Sequence, residues 1–306
     1  MKSPISFTAS ATSLFKWGYP AWCFLLVFIA LTPLAQGQFA TNLSLPKTNF
    51  LSHEPLMATV TLSNRSGGDI VMTGSALANW LTFEVTDVNG RSLPSIGLAQ
   101  QKPFIFKAGT TIAEKVRVSD HYGVTELGAY GITANIYHPP TKQFYTSNRL
   151  RFNVMDAKPF WEQPIGIPAG FPDAGRIRRY SLVLFRDVER SNMYFRFTDD
   201  KSAQTLATYE LGPCSVSVDP TATLDSDNKL HTLFMAMPKL YCYVIIAPDG
   251  KLKKREYYKM TETSRPAMVA SGDGSVSIQG GLFFDPSAPE PAKKKSRPVS
   301  ERPPGL

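Results

Sequence analysis

The stretch Leu127-Gly128-Ala129-Tyr130-Gly131-Ile132-Thr133-Ala134-Asn135-Ile136 contains the pattern that decides the fold. From Ile132 onward, apolar side chains alternate with Thr133 and Asn135, so they lie on one face of an extended strand. A helix would instead repeat its apolar residues every three or four positions. A strand with one apolar face has to bury that face against a second layer. The stretch therefore predicts one strand of a layered β protein.

The same alternation recurs along most of the chain. It is present in residues 56–62, 81–86 and 150–154, and turn-forming residues separate these runs. No amphipathic helix is indicated after residue 37. We therefore predict an all-β chain in which residues 41–156 form a small β-sandwich.

Tyr130 adds a more specific feature to this sandwich. It lies just before the predicted penultimate strand, where a tyrosine corner places a Tyr whose hydroxyl binds upstream backbone. Together with Glu54-Pro55-Leu56 and the polar turn after Leu62, this layout resembles immunoglobulin-like modules of exported bacterial proteins, including the proteinase-inhibitor type. The resemblance implies an immunoglobulin-like β-sandwich with Tyr130 in a structural role. The inter-sheet cysteine pair of that family is absent, so packing alone has to hold the sheets together.

A second β region follows. Residues 157–178 are rich in proline, which predicts a semi-rigid linker. Strand patterns resume over residues 179–284, and Ala247-Pro248-Asp249-Gly250 predicts a hairpin turn. Polar turns at Asp227 and Asp273 are spaced like those of successive β-propeller blades, but too few units are present to close a propeller. We predict a second antiparallel β domain of propeller-blade-like meanders, resembling the C-terminal regions of uncharacterised exported bacterial proteins.

The two ends of the chain carry a targeting signal and a tail. Residues 1–37 combine two lysines, no acidic residue and an apolar run of about a dozen residues, whereas a spanning helix needs roughly 20. Small residues precede Gln38, so we predict a cleavable signal peptide and an exported product, periplasmic or extracellular. An uncleaved membrane anchor is the alternative. Residues 285–306 contain six prolines and three consecutive lysines, which is typical of a disordered basic tail.

The composition limits the class of partner. The chain of 306 residues has 33 basic and 25 acidic residues. Removal of the signal would leave a net charge of about +6. This excess is moderate and scattered, and an exported protein has little access to nucleic acid, so nucleic acid is not an expected partner. An envelope polymer or a surface protein is the expected kind of partner, and no transmembrane segment is predicted in the mature chain.

Two groups of residues are candidate functional features. Cys214 and Cys242 remain after signal cleavage, and an oxidising compartment would allow a disulfide between them. Two buried thiols are the alternative, because both cysteines lie in apolar strands. Lys251, Lys253 and Arg255 alternate along one predicted strand and are candidates for contact with an anionic polymer. Lysines on an edge strand also prevent edge-to-edge aggregation, so both interpretations stay open.

The chain shows none of the common catalytic or metal-binding patterns. Its four histidines have no partner at metal-ligand spacing, and neither a G-x-S-x-G turn nor a Gly-rich phosphate loop occurs. His231 lies within a strand pattern, so we expect a structural role for it. No catalytic residue, metal or cofactor is predicted.

These observations predict a non-enzymatic exported protein that acts by surface or envelope binding or as a structural spacer. A glycan-binding or proteinase-inhibitor-like module is the alternative, with recognition by loops at one end of the sandwich. A glycan-acting hydrolase is the third hypothesis. Its catalytic carboxylates could lie far apart in the sequence and come together only in the folded chain, so no sequence motif would show them. Two carboxylates about 5 to 10 Å apart in an open cleft would favour that enzyme.

Overall fold

In the first half of the chain, two sheets pack face to face, and the apolar side chains that alternate along their strands are buried between them. The computed structural model describes residues 38–74, 79–97, 101–188 and 190–288. In β3 (Met57–Asn64), every second residue from Ala58 is buried and the residues between are partly exposed. This alternation is typical of a sheet that packs on one side only.

Ten strands and a single 3₁₀ turn (Val118–Asp120) form the N-terminal sandwich. Besides β3, the strands are β1 (Phe39–Ser44), β2 (Asn49–Leu51), β4 (Ile70–Met72), β5 (Leu81–Thr86), β6 (Phe104–Phe106), β7 (Thr111–Arg117), β8 (Gly128–His138), β9 (Gln143–Thr146) and β10 (Leu150–Met155). One antiparallel sheet has the order β1-β3-β7. The opposing sheet has the order β2-β10-β8-β5, with β9 paired to β8 and with β2 parallel to β10. β4 and β6 form a separate pair.

This distribution of strands is that of an immunoglobulin-like sandwich. The early strands β1 and β3 share a sheet with β7, whereas β5, β8 and β10 share the other, as strands A, B and E and strands C, F and G do in immunoglobulin folds. The apolar faces of the two sheets meet in one core, which includes Val60, Leu62, Val85, Ile132 and Phe152.

Tyr130 lies near the start of β8, in the crossover between the two sheets. Its hydroxyl donates to the backbone carbonyl of Glu126 at 2.8 Å. Its ring is stacked on Phe152, with the ring centroids 5.4 Å apart. The hydrogen bond joins the strand to the turn before it, which is the geometry of a tyrosine corner.

The predicted linker at residues 157–178 instead contains an edge strand of a sheet. Pro159–Gly166 form β11, which pairs antiparallel with β12 (Ile177–Arg186). β11 is an edge strand, and an edge strand tolerates Pro159 and Pro164 because their missing N–H groups would face no neighbouring strand. The second β unit therefore begins near residue 159 and not at 179.

The C-terminal β unit contains two stacked antiparallel meanders. The first has the order β11-β12-β13-β14, and the second has the order β15-β16-β17-β18-β21. Their facing sides share a core that includes Tyr180, Phe195, Phe234, Cys242 and Val244. The strands not yet located are β13 (Ser191–Asp199), β14 (Thr205–Pro213), β15 (Thr221–Leu224), β16 (Leu230–Met237), β17 (Leu240–Ile246), β18 (Leu252–Lys259) and β21 (Leu282–Phe284).

A two-stranded ribbon covers the outer side of the second meander. The ribbon consists of β19 (Ala267–Ala270) and β20 (Val276–Gln279). Its Met268 and Ile278 pack against Leu233 and Tyr241 of β16 and β17. Because the ribbon covers one face of the sheet and the first meander covers the other, nearly every residue of β16 and β17 is buried, and exposed and buried residues do not alternate.

The prediction of an all-β chain is confirmed for the residues that the structure describes. From Phe39 onward the described residues form one compact body, which contains both the N-terminal sandwich and the C-terminal β unit. The predicted signal peptide, residues 1–37, and residues 289–306 of the predicted tail lie outside the described residues. Within the described part of the chain, no helix has the length and apolar character needed to cross a membrane.

Candidate functional site at the junction of the two β units

The two β units meet through a small core of their own. Leu51, at the end of β2, packs against Val183, Phe185 and Tyr194 of β12 and β13. None of the four is more than 5% exposed. Ala157, in the chain that joins the units, packs on the same cluster. Because both units bury these side chains, separation of the units would expose apolar surface to water.

A hydrogen-bonded network lies beside this core. Lys47 Nζ donates to Glu54 Oε1 at 2.5 Å and to the Tyr194 hydroxyl at 2.6 Å. The Tyr194 hydroxyl in turn donates to Glu210 Oε2 at 3.3 Å. The side chains of Lys47 and Glu54 are only 12% and 8% exposed. We call these four residues the junction network, because they connect the N-terminal sandwich to β13 and β14.

A tight turn after β2 holds Glu54 in place. The Leu51 backbone N–H donates to Glu54 Oε2 at 2.9 Å, and the Glu54 N–H donates to the Leu51 carbonyl at 3.0 Å. His53, inside this turn, has a φ of 63°, which is an uncommon conformation for a non-glycine residue. Burial raises the pKa of Glu54, and the neighbouring Lys47 opposes that rise. Both carboxylate oxygens of Glu54 have partners within the protein: Lys47 donates to Oε1 and the Leu51 N–H donates to Oε2.

A cleft of about 440 Å³ runs along the junction network. The turn between β12 and β13 forms one wall, and Asn49 Nδ2 fastens this wall to the sandwich by donating to Asp187 Oδ1 at 2.7 Å. The cleft thus has walls from both β units. Its lining residues include Phe50, Glu54, Pro55, Met57, Asp187, Asn192 and Glu210.

The carboxylates at this cleft are better placed for support than for acid–base chemistry. Contacts of 2.5, 2.6 and 3.3 Å link Glu54 to Glu210 through Lys47 and Tyr194. The two carboxylates therefore lie no farther apart than roughly 9 Å, within the range of glycoside hydrolases. However, an ammonium group and a backbone N–H already occupy the two oxygens of Glu54. The arrangement favours a structural role at the junction over proton transfer to a substrate.

A second buried network lies on the outer side of the five-stranded sheet. His231 Nδ1 is 2.5 Å from the Tyr243 hydroxyl, and Nε2 is 3.1 Å from Asp225 Oδ2. Because a carboxylate can only accept, Nε2 is the atom that donates to Asp225, and the Tyr243 hydroxyl is the partner of Nδ1. Burial raises the pKa of Tyr243 to about 12, so its hydroxyl stays protonated. Tyr243 is only 4% exposed, which leaves a substrate little access and supports a structural role for His231.

Cys214 and Cys242 are buried free thiols in the structure. Both belong to the core between the two meanders. Burial raises the pKa of Cys214 to about 11 and that of Cys242 to about 12. Neither thiol therefore has the thiolate character of a nucleophile or a metal ligand. The structure thus describes the pair as buried thiols, and a disulfide between them in the exported product stays a prediction.

The predicted cationic strand has an open edge in the structure. β17 pairs along β18, whereas β21 pairs only with residues 257–259 of it. A bulge between Ile245 and Ile246 leaves Lys253 without a facing residue on β17, so the simple alternation of the cations is interrupted there. Residues 252–256 thus present an unpaired strand edge.

The four cations along this edge differ in their local partners. Arg255 donates to the backbone carbonyl of Glu210 at 3.4 Å and so contacts β14. Lys253 has no ion pair among the described residues. The two remaining lysines form exposed ion pairs of 2.8 Å, Lys251 with Asp249 and Lys254 with Glu256. Exposed pairs of this kind are weak and would not prevent exchange for another anion.

Sequence reasoning missed the junction network. Lys47 and Glu54 flank a three-residue strand, and that spacing alone could have suggested a local ion pair. Tyr194 is 147 positions from Lys47, so nothing in the sequence links them. For metal sites, the described ranges hold no group of three or more His, Cys, Asp or Glu side chains able to bind an ion together.

Comparison with known proteins adds no functional assignment. No protein-family model matches the chain. No curated protein matches its sequence either. The predicted resemblance to a particular group of exported bacterial proteins is therefore supported only at the level of a β-rich architecture.

Proposed function

We propose that the protein is an exported, non-enzymatic structural element that holds two β units in a fixed relative orientation within an envelope assembly. The observation that carries this proposal is the shared core at the junction, where Leu51 is buried among Val183, Phe185 and Tyr194. A spacer has to hold its two ends at a fixed distance and orientation, and a flexible hinge between its units would not. Most flexible inter-domain contacts are more polar and less well packed.

The junction network supports the same proposal. Lys47 is desolvated and held by Glu54 and Tyr194 at short distances, so its orientation is restricted. Its ammonium also lies 5.0 Å from the ring centroid of Phe50 and 4.9 Å from that of Tyr194. Hydrogen bonds depend on direction, so these contacts restrict the angle between the two units. Apolar packing is non-directional and restricts that angle less.

Distance measurements between the units test the rigidity. Exposed Lys115 on β7 and Lys253 on β18 are suitable positions for cysteine substitution and spin labelling in the chain from Gln38 onward, since the two cysteines of that part are buried. We expect a single narrow distance distribution by pulsed electron resonance. A distribution as broad as that of a flexible linker would contradict the spacer role. A pull-down from envelope extract would then identify the assembly.

Export is tested separately. When the full chain is expressed in a secreting host, we expect the exported product to begin at Gln38, because small residues precede that position. Peptide sequencing of the mature N-terminus measures this directly. Retention of residues 1–37 on a cytoplasmic product would remove the envelope from the proposal and leave only a rigid β protein.

The open edge of β18 supports a second candidate function, contact with an anionic polymer. Of the three residues predicted for it, Lys253 and Arg255 lie on this edge and Lys251 comes directly before it. Lys254 adds a fourth exposed cation. A row of cations on a strand edge attracts a chain of negative charges, and the attraction falls as salt increases.

Charge reversal distinguishes this candidate from the role of the lysines as an edge guard. We expect Lys251→Glu/Lys253→Glu/Lys254→Glu to abolish salt-sensitive binding to alginate and poly(glycerol phosphate). Arg255 is left unchanged because it contacts β14. The control is Arg65→Glu/Lys107→Glu/Lys115→Glu, which changes net charge equally on the N-terminal sandwich. Equal loss in both variants, or no binding by the native protein, would rule out a specific polymer contact.

A further inference from the structure

The cleft at the junction contains one buried hydrogen-bond acceptor that has no donor among the described residues. Asn192 lines this cleft and is only 4% exposed. Its Oδ1 atom has no hydrogen-bond partner among the described residues. A buried amide oxygen without a donor lowers the stability of the folded chain, so such a position is rarely retained without a ligand or a water to satisfy it.

The charges around Asn192 indicate what kind of donor is missing. Glu210 lines the same cleft and is not in an ion pair among the described residues, and its single side-chain donor is the neutral Tyr194 hydroxyl at 3.3 Å. Asp187, in the turn between β12 and β13, accepts only from the neutral Asn49 amide among the described side chains. Two cations line the cleft: Lys47, which already neutralises Glu54, and the exposed Arg190, which forms no ion pair with Asp187 or Glu210 among the described residues. The lining thus has three carboxylates for two cations, together with one unpaired amide oxygen.

The apolar lining suits the same class of ligand. Phe50, Pro55 and Met57 line the cleft beside these acceptors. Lysine and arginine side chains have an aliphatic stem and a charged head, so they bury the first against apolar surface and direct the second to acceptors. A volume of about 440 Å³ is within the usual size of a small-ligand site.

We propose that this cleft binds an organic cation, the ammonium or guanidinium group of a basic side chain that a partner protein inserts between the two β units. Glu210 and Asp187 compensate its charge, and Asn192 accepts one of its N–H groups. The proposal goes beyond the structural role described above, since a spacer needs no ligand in its junction. It also differs from the cationic edge of β18, which would attract the opposite charge.

Titration with small probes tests the proposal on the intact protein. The probes are Nα-acetyl-lysine methylamide and Nα-acetyl-arginine methylamide, and the matched neutral probe is Nα-acetyl-norleucine methylamide. We expect both cationic probes to shift the NMR signals of Asn192 and Asp187, and the neutral probe to leave them unchanged. The tighter of the two cations identifies which head group fits. Equal shifts with the neutral probe, or shifts only outside the cleft, would overturn the proposal.

An isosteric variant tests the role of the carboxylate. Glu210→Gln keeps an oxygen that accepts from Tyr194 and removes the charge, so the fold should be retained, which circular dichroism checks. We expect it to weaken binding of the cationic probes roughly tenfold or more, as for loss of a charge-assisted hydrogen bond. Glu114→Gln, on the exposed strand β7, is the control and should bind normally. Unchanged affinity in Glu210→Gln would contradict the proposal.

Discussion

Cys214 and Cys242 show how burial controls the chemistry of a side chain. Both are free and buried, and burial raises their pKa values to about 11 and 12. Because the thiolate is the reactive form, we expect neither to react with iodoacetamide at pH 8 in the native protein. In the chain that begins at Gln38, mass spectrometry should show two modified cysteines after unfolding in denaturant. Rapid labelling of the native protein, or a disulfide in the purified exported product, would contradict the buried thiols.

Lys47 is the single residue on which the junction network depends most. Lys47→Met would leave the Glu54 carboxylate buried without its cation. We expect a loss of about 3 kcal/mol in the free energy of unfolding at neutral pH, as for other buried ion pairs from which one partner is removed. Chemical denaturation measures this loss. Lys115→Met, at an exposed position of β7, is the control and should change stability very little.

The pH dependence of the same variant has a defined sign. Burial raises the pKa of Glu54 in the folded protein, and Lys47→Met removes the cation that opposes this rise. A folded-state pKa above the unfolded value of about 4.3 means that the folded state binds the extra proton. The variant should therefore approach wild-type stability in acid and lose stability as the pH rises through the raised pKa. Lys47→Met/Glu54→Gln should lack this pH dependence, and a penalty independent of pH in the single variant would contradict the argument.

At the scale of a strand, β18 pairs with β17 along one edge, whereas on its other edge only residues 257–259 have a partner strand, β21. Residues 252–256 have no neighbour on their outer side, so Lys253 and Lys254 are placed where an edge strand needs protection against association. We expect Lys253→Val/Lys254→Val to increase aggregation on mild heating, measured by light scattering, with little change in the initial fold. Lys107→Val/Lys201→Val, outside the strands, is the control. Equal aggregation of both variants would show that lost charge, and not the open edge, is responsible.

β11 shows why composition alone is a poor guide to a strand at an edge. Its prolines favoured a linker, because proline removes a ladder hydrogen bond from the interior of a sheet. On the outer edge of the first meander that hydrogen bond has no partner to lose. Whether a proline-containing segment is a linker or an edge strand therefore depends on what lies beside it, and its own residues do not specify that.

For the whole molecule, Leu51 is the residue that couples the two β units. Leu51→Ala would open a cavity among Val183, Phe185 and Tyr194, at a cost of about 2 to 5 kcal/mol. Since this cost falls on the contact between units, we expect the native protein to unfold in a single transition and Leu51→Ala to unfold in two, measured by calorimetry and by circular dichroism in denaturant.

A control separates loss of coupling from loss of stability. Leu62→Ala removes an equally buried leucine from the core of the N-terminal sandwich, and Leu62 is not part of the junction core. It should lower stability by a similar amount and leave the units coupled through Leu51. Two transitions in Leu62→Ala, or one in Leu51→Ala, would contradict a junction that makes the two units cooperative.

Part of this organisation could be predicted from the chain because it depends on local pattern. Alternation at Leu56 to Leu62 and at Ile132 to Ile136 indicated strands with one buried face, and the position of Tyr130 indicated the turn before β8. The extent of burial in β16 and β17 was not predictable, because the ribbon that covers them comes from residues 267–279. The junction network was also missed, since Tyr194 and Glu210 come from strands distant in sequence.

The amino-acid sequence by itself determined the all-β class, the immunoglobulin-like character of the first unit and the positions of most turns. These follow from periodicity and turn chemistry, which act between residues a few positions apart. Only the tertiary structure decided that the proline-rich segment is a strand, that Leu51 joins the two units and that Asn192 faces a cleft with Asp187 and Glu210. The physical reason is that burial, edge pairing and desolvation of charge depend on which distant residues are neighbours in the folded chain.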